Sequence, residues 1–248
     1  MITAFKNIIK QTIFPLQEKG SVEAYDIWAE QYDAQSGNLM MDLDAAVFAE
    51  LLKNVDITGK HIADIGCGTG RHWAHFFRGK VASVSGFDVS QGMLDKLLLK
   101  YPSAQVHQIE NNFFADIPDA QYDLITSTLT IAHIENIDEA LDAWCRMLRQ
   151  KGDVIITDFH PNALAFGGKR TFEHKHRSIA VKNFVHHLPG VEYILKEYGL
   201  SIVNKIEREV DESVKHYYEA KKALPVYEKF KGSRIIYGLH LRRGYDIA

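Results

Sequence analysis

Cysteine is scarce in this chain of 248 residues: it has two, Cys67 and Cys145, and neither belongs to a Cys-x-x-Cys pair. A disulfide framework and a cysteine-based zinc site are therefore not expected, and a reducing cytoplasm is the expected compartment. Long apolar runs are missing as well. No stretch approaches the ~20 residues that cross a bilayer, so stable membrane insertion is not expected. An excess of one charge is also lacking, since 29 Lys and Arg face 32 Asp and Glu for a net charge of −3. That balance gives no global attraction to nucleic acid. Repeats and low-complexity tracts do not occur. Near the N-terminus Ile2, Phe5, Ile9, Ile13 and Leu16 recur at helical spacing around Lys6 and Lys10. They lack the continuous apolar core and small-residue cleavage site of a signal peptide, so the expectation is a helix packed over the domain. What the length does supply is one α/β domain with embellishments and a sizeable core.

Within that length the most informative stretch is Ile62-Ala63-Asp64-Ile65-Gly66-Cys67-Gly68-Thr69-Gly70. An apolar run ends in an acid, breaks at three alternate glycines and leads into Trp73-Ala74-His75-Phe76-Phe77: a strand, a tight turn and a helix start. Glycines there permit positive φ and, without a Cβ, let a ligand lie against the backbone. Asp64 at the mouth of the strand suits a cationic group such as an amine. The nicotinamide-dinucleotide fingerprint needs its last glycine at position 71, which is Arg71 here, so the spacing departs from that of NAD binding. About twenty residues on, Val81 to Asp88 reads as a second strand ending in an acid, which suits a ribose diol.

Glycine run and second acid together imply an adenosyl ligand, and at these residues the chain resembles the class I S-adenosylmethionine-dependent methyltransferases. Their D-x-G-x-G-x-G signature matches Asp64, Gly66, Gly68 and Gly70, and their second-strand acid matches Asp88 within Gly86-Phe87-Asp88-Val89-Ser90-Gln91-Gly92-Met93-Leu94. The resemblance implies an α/β fold: a doubly wound, seven-stranded, mostly parallel sheet with a C-terminal antiparallel hairpin and a helical or loop cap. It implies S-adenosylmethionine as cofactor and places Cys67, Val89 and Met93 beside it. Tyr-Asp-x-x-Ala-x-x-Tyr-Asp from Tyr25 resembles the lid ahead of the glycine turn, bringing in Tyr25 and Tyr32. Asn112 and Phe113 fall where the family contacts adenine, and Thr128 and Leu129 where it contacts the methionine moiety.

Taken in order, residues 1–40 read as an N-terminal helical lid, 41–160 as the cofactor-binding core, 161–190 as a substrate cap and 191–248 as the rest of the same α/β domain. Met41 to Asn54 has helical period, Ser90 is an N-cap for a helix through Lys100, and Ala104 to Ile109 is a third strand. Gln121 to Ser127 and Asp153 to Asp158 are strands flanking an amphipathic helix over Asp138 to Gln150. From His160 to Pro189 no regular pattern persists, and Lys169, Arg170, His174, Lys175, His176 and Arg177 form a basic cluster. Leu200 to Val210 and Ser233 to Leu241 read as the closing strands, around a partly helical excursion broken at Pro225.

Two histidines sit where a general base would be useful, His133 after the fourth strand and His160 after the fifth. His174 and His176, two apart, would share a strand face and invite a metal reading, but no carboxylate or cysteine completes a motif and no metal is expected. The basic cluster instead suits a carboxylate or phosphate. The leading expectation is methyl transfer to a small organic acceptor, anionic or aromatic, with an O, N or C nucleophile. A protein or RNA methyltransferase and a non-catalytic binding module for the cofactor are the alternatives.

Overall fold

The computed structural model describes residues 16–35, 37–110, 114 and 116–244. The expected helix over Met1 to Leu16, and the adenine contacts Asn112 and Phe113, lie outside them apart from Leu16. Seven strands form the main sheet: β2 (His61–Ile65), β3 (Ser83–Asp88), β4 (Gln105–Gln108), β5 (Tyr122–Thr128), β6 (Leu148–Phe159), β9 (Leu200–Glu209) and β10 (Arg234–Arg243). Their order is β4-β3-β2-β5-β6-β10-β9. The first five run parallel, and β10 pairs antiparallel with both β6 and β9.

Burial on both faces explains the composition of the central strands. β2 carries Ile62, Ala63, Asp64 and Ile65, all buried, and Val154, Ile155 and Ile156 of β6 are 1%, 0% and 0% exposed. Such strands read as continuous apolar runs because helices cover each face. One face packs Val47, Phe48, Leu51, Trp73 and Phe76. The opposite face packs Phe87, Ile125, Leu141, Trp144 and Leu188. Each fully buried side chain of this size contributes roughly 1.5–3 kcal/mol.

Helix starts follow the local chemistry. Ser90 accepts from the Met93 amide at 3.1 Å to open helix Gln91–Lys100, and Asn38 accepts from Met41 at 3.3 Å to open helix Leu39–Leu52. The latter helix is pinned from inside by Asp44, 0% exposed. Its carboxylate receives Arg71 at 2.5 Å, His72 at 2.9 Å and the Thr157 hydroxyl. Burial would raise this acid, but Arg71 and His72 outweigh it and hold it down at about 2.

The stretch read as patternless, His160 to Pro189, is ordered. It holds helix Pro161–Ala165 and a hairpin of β7 (Thr171–His174) and β8 (Arg177–Val181). Lys175 and His176 turn it with φ of 47° and 64°, two left-handed residues in succession, as a two-residue hairpin turn needs. His176 is thus in the turn and does not share a strand face with His174. Strand β1 (Gln17–Lys19) runs parallel to β8, Gln17 opposite Ile179. Residues on either side of the core in sequence therefore build one three-stranded sheet, which packs Phe172, Ile179 and Val181 against Ala24, Trp28 and Tyr32 of the lid. Pro225 lies in the first turn of helix Leu224–Phe230 and starts it rather than breaking it.

Candidate active site

Strand order reverses between β2 and β5, and the crevice outside the carboxyl ends there is where open α/β sheets bind ligands. A cavity of about 240 Å³ occupies it. The glycine turn forms its floor. Gly66 has φ of +70°, and a Cβ there would fall 2.0 Å from the Thr130 hydroxyl, so no larger residue fits. Gly68, at φ +53°, has nothing within 4 Å of where its Cβ would be. The turn is fastened to β3: Gly66 and Cys67 donate to the Phe87 carbonyl at 2.7 and 3.1 Å, and Gly68 donates to Asp88 at 2.7 Å. Cys67 is itself buried against Gly86, and burial together with Asp88 and Asp64 pushes its thiol well up.

The two acids occupy different positions. Asp88 lines the cavity, one oxygen accepting from Gly68 and the other from the Ser90 amide at 2.9 Å. A carboxylate has about four acceptor sites, so lone pairs remain for a diol. Burial pushes this carboxyl up to about 6, against the pull of the Ser90 and Gly68 amides. Asp64, expected to face a cation, sits behind the turn and does not line the cavity. Its oxygens accept from Trp73 Nε1 and Thr126 Oγ1, each at 2.8 Å, and burial raises it to about 6.

Tyr25, Tyr32, Val89, Met93, Thr128 and Leu129, read from the sequence, all line the cavity. Gly70, at φ +72°, closes the turn behind it against Leu97. Leu129 is left-handed, with φ of 53°, and its amide donates to the Thr157 carbonyl at 2.8 Å. That kink turns the chain from β5 into the short helical turn Ile131–His133 and brings His133 over the crevice.

His133 is held at both nitrogens. Nδ1 lies 3.1 Å from the Lys182 carbonyl, which can only accept, so Nδ1 carries the proton. Nε2 therefore accepts from the Tyr25 hydroxyl at 2.9 Å. Burial and the Arg170 charge push this imidazole down to about 4. His160 is elsewhere: it lines none of the cavities described. Its Nδ1 caps helix Pro161–Ala165 through the Asn162 amide at 3.2 Å, and Nε2 donates to Glu207 at 3.0 Å. The structure therefore places His160 as a helix cap outside the crevice that holds His133.

Several lining residues were not singled out from the sequence: Ser21, Val22, Ile109, Glu110, Ile134 and Glu135. The lid's aspartates were quoted there without a role. Asp26 accepts from Ser90 Oγ at 2.6 Å and from the Gly92 amide at 3.1 Å. Asp33 accepts from Thr69, inside the glycine turn, at 2.6 Å and from Lys100 at 2.9 Å. The Tyr-Asp repeat thus alternates a ring over the cavity with a carboxylate that locks the lid to its floor. Of the cap's basic residues, Lys169 pairs with Glu18 at 2.9 Å, whereas Arg170 is buried beside the lid tyrosines.

Among the described residues no group of three His, Cys, Asp or Glu side chains is arranged to hold a metal ion, and no helix is long and apolar enough to cross a membrane.

A family model described as a methyltransferase domain matches residues 63–156. An uncharacterized protein from Haemophilus influenzae is 27% identical over 156 residues, 59% of this chain and 61% of that one. A malonyl-[acyl-carrier protein] O-methyltransferase from Paenibacillus sp. is 25% identical over 191 residues, 69% and 62% of the two chains. The chain thus spans about three fifths of the length of these curated relatives. Among solved structures, an S-adenosylmethionine dependent methyltransferase from Mesorhizobium loti superposes with a TM-score of 0.59 at 17% identity, covering 80% of this chain and 98% of that one. The [4+2]-cyclase SpnF superposes with a TM-score of 0.65 at 14% identity, covering 93% and 98%. At such identities the superpositions speak for the fold, and the matched domain runs through the glycine turn, Asp88 and β5. Over residues 63–156 the chain thus carries a methyltransferase domain, on a fold shared with solved S-adenosylmethionine-dependent methyltransferases.

Proposed function

We propose that this chain transfers a methyl group from S-adenosylmethionine to a small organic acceptor bound under the lid. The observation that carries the reading is the open cradle at Gly68 facing the spare lone pairs of Asp88, with Tyr25 and His133 closing over it. The residues present fit the cofactor. Asp88 accepts from the ribose diol, the Gly66 to Gly68 backbone lies against the amino-acid end, and Asp64 adds negative charge behind the turn. Ile109, Val89 and Met93 give the adenine an apolar surface, and Thr128 and Leu129 flank the methionine chain. When bound, the cofactor supplies a sulfonium methyl group that a nucleophile attacks in line.

Catalysis in such a reaction is mostly positioning, and effective molarities of about 10⁵–10⁸ M are available from it. The lid performs that task here: Trp28 and Tyr32 exclude water while Asp26 and Asp33 hold the closed geometry. His133, neutral and hard to protonate, serves as a hydrogen-bond acceptor that orients the Tyr25 hydroxyl or, in its place, a hydroxyl of the acceptor. A group held at about 4 is a weak base at neutral pH, which favours an acceptor that arrives ionised or attacks through an existing lone pair. Relatives named as O-methyltransferases of malonyl-[acyl-carrier protein] and of ubiquinone biosynthesis support an oxygen nucleophile.

Incubation with methyl-labelled cofactor and cell extract tests the proposal, the expected result being label in the small-molecule fraction. Label in protein or RNA would overturn the choice of acceptor. A second reading is a chain that binds the cofactor without turning it over; a neighbour of the same fold is named for a cyclisation and not for methyl transfer. Tight cofactor binding with no labelled product from any extract would support it.

A further inference from the structure

The helical turn Ile131–His133 is three residues long, too short to fix its own geometry, and it leaves backbone polar groups at both ends that need partners. Its own backbone supplies two hydrogen bonds, from the His133 amide to the Thr130 carbonyl at 2.8 Å and from the Ile134 amide to the Ile131 carbonyl at 3.0 Å. The rest of what holds it comes from two distant parts of the chain.

On one side stands Asp158 of β6, 1% exposed. Its Oδ2 accepts from the Ala132 amide at 2.8 Å and its Oδ1 from the Phe159 amide at 2.6 Å. Burial pushes this carboxyl up to about 7 against the pull of those amides and of Arg170. That is a costly place for an acid on a strand otherwise lined by Val154, Ile155 and Ile156, and the two amide donors are what make it tenable. On the other side run residues 182–186, which leave β8 and meet the turn at alternate positions. The Lys182 carbonyl accepts from His133 Nδ1 at 3.1 Å, the Phe184 amide donates to the Ala132 carbonyl at 2.7 Å, and His186 Nε2 donates to the Ile134 carbonyl at 2.7 Å. The root of this strap is itself fixed, since the Lys182 amide donates to the Lys19 carbonyl of β1 at 2.8 Å.

Asp158 and His186 line one small void of about 10 Å³ behind the turn, together with Ile131, Ala132 and Phe184. Neither lines the crevice, whereas His133 and Ile134 both do. Any influence of the two on the crevice therefore passes through the turn.

We infer that Asp158 and His186 are positioning residues for His133: the turn clamped between them keeps Nδ1 on the Lys182 carbonyl and presents Nε2 to the crevice. The consequence for turnover rests on the methyl-transfer reading; the consequence for the His133 ring does not.

The test compares the full chain with Asp158→Asn, His186→Ala and His186→Gln at pH 8, above the Asp158 value. Nitrogen-15 spectra of the His133 ring report its tautomer, calorimetry reports S-adenosylhomocysteine binding, and methyl-labelled cofactor with cell extract reports the rate of label entering the small-molecule fraction. Wild type is expected to show one tautomer, with the proton on Nδ1. Asp158→Asn meets one of the two amides with a donor and His186→Ala removes the donor to Ile134, so both are expected to show mixed tautomers. Both should also transfer label roughly 10- to 100-fold more slowly, the range that a small misplacement costs, while binding S-adenosylhomocysteine as wild type does. His186→Gln, whose side-chain nitrogen can take the place of Nε2, is expected to restore most of the rate and the single tautomer. Because Asp158→Asn can fail to fold, the half-buried His186 pair decides on its own. A single Nδ1-protonated tautomer in His186→Ala, or His186→Gln no better than His186→Ala, would overturn the inference. Mixed tautomers in the variants with no labelled product from wild type would instead sink the methyl-transfer reading and leave the positioning of His133 standing.

Discussion

Replacing Asp88 with asparagine perturbs the proposed ribose contact with little change in volume. In the native site one oxygen of Asp88 accepts from Gly68 and the other from Ser90, leaving lone pairs for two ribose hydroxyls. Asparagine keeps one acceptor and turns the other position into a donor. Two charge-assisted hydrogen bonds are lost or weakened, each about 1.5–3 kcal/mol, and the net loss is expected at about 2–4 kcal/mol once water re-solvates the diol. At 1.4 kcal/mol per decade this is roughly a 30- to 1,000-fold weaker Kd. The pH dependence provides an independent check. Asp88 and Asp64 both stand near 6 in the free protein, and ligand binding requires their ionised forms, so affinity is full above 6 and declines as pH falls through it. Between pH 7 and 5 the wild type should lose about tenfold per participating group, and Asp88→Asn should keep only the part due to Asp64. Calorimetric titration with S-adenosylhomocysteine measures both effects. An unchanged Kd in a folded Asp88→Asn protein, or a wild-type affinity that is flat across that range, would refute the ribose role.

Three further expectations follow from the structure. His133→Ala should lower kcat by about 10²-fold while leaving cofactor affinity within a few-fold, since a misplaced acceptor costs about that much. His160→Ala, measured alongside, should lower the melting temperature and spare kcat, because its nitrogens cap a helix and meet Glu207. Asp44→Asn should destabilise by about 3–5 kcal/mol, as breaking a buried pair leaves Arg71 without its counter-charge. For a domain of this size that corresponds to a fall in melting temperature of roughly 6–20 °C in a thermal scan.

Much of the core was legible because its requirements are local. Glycine at positions 66 and 68 is demanded by positive φ, the second-strand acid ends the very next strand, and Ser90 announces a helix within three residues. The continuous apolar runs of β2 and β6 follow from burial on both faces. The cap was not legible for the converse reason. β7 and β8 have four and five residues, too short for periodicity to speak, and one of their partners, Gln17, is paired with Ile179 from the far end of the chain. Arg170 reads in the sequence as one cation of a basic cluster, and only the tertiary fold buries it on the lid's rings. For His160 the sequence alone does not separate the two uses of a histidine after a parallel strand, base or N-cap; the structure has it capping through Asn162 and paired with Glu207 on β9.

The central claim is that the turn at Gly68 cradles the methyl donor, and calorimetry on wild type and Gly68→Val tests it directly. A valine side chain there projects into the open space beside the backbone and, at φ +53°, also strains the turn, so circular dichroism and the melting temperature first establish that the variant is folded. The account predicts one S-adenosylhomocysteine site per wild-type chain and no measurable binding to a folded Gly68→Val protein. Absence of binding to wild type, or equal binding to both, would contradict it.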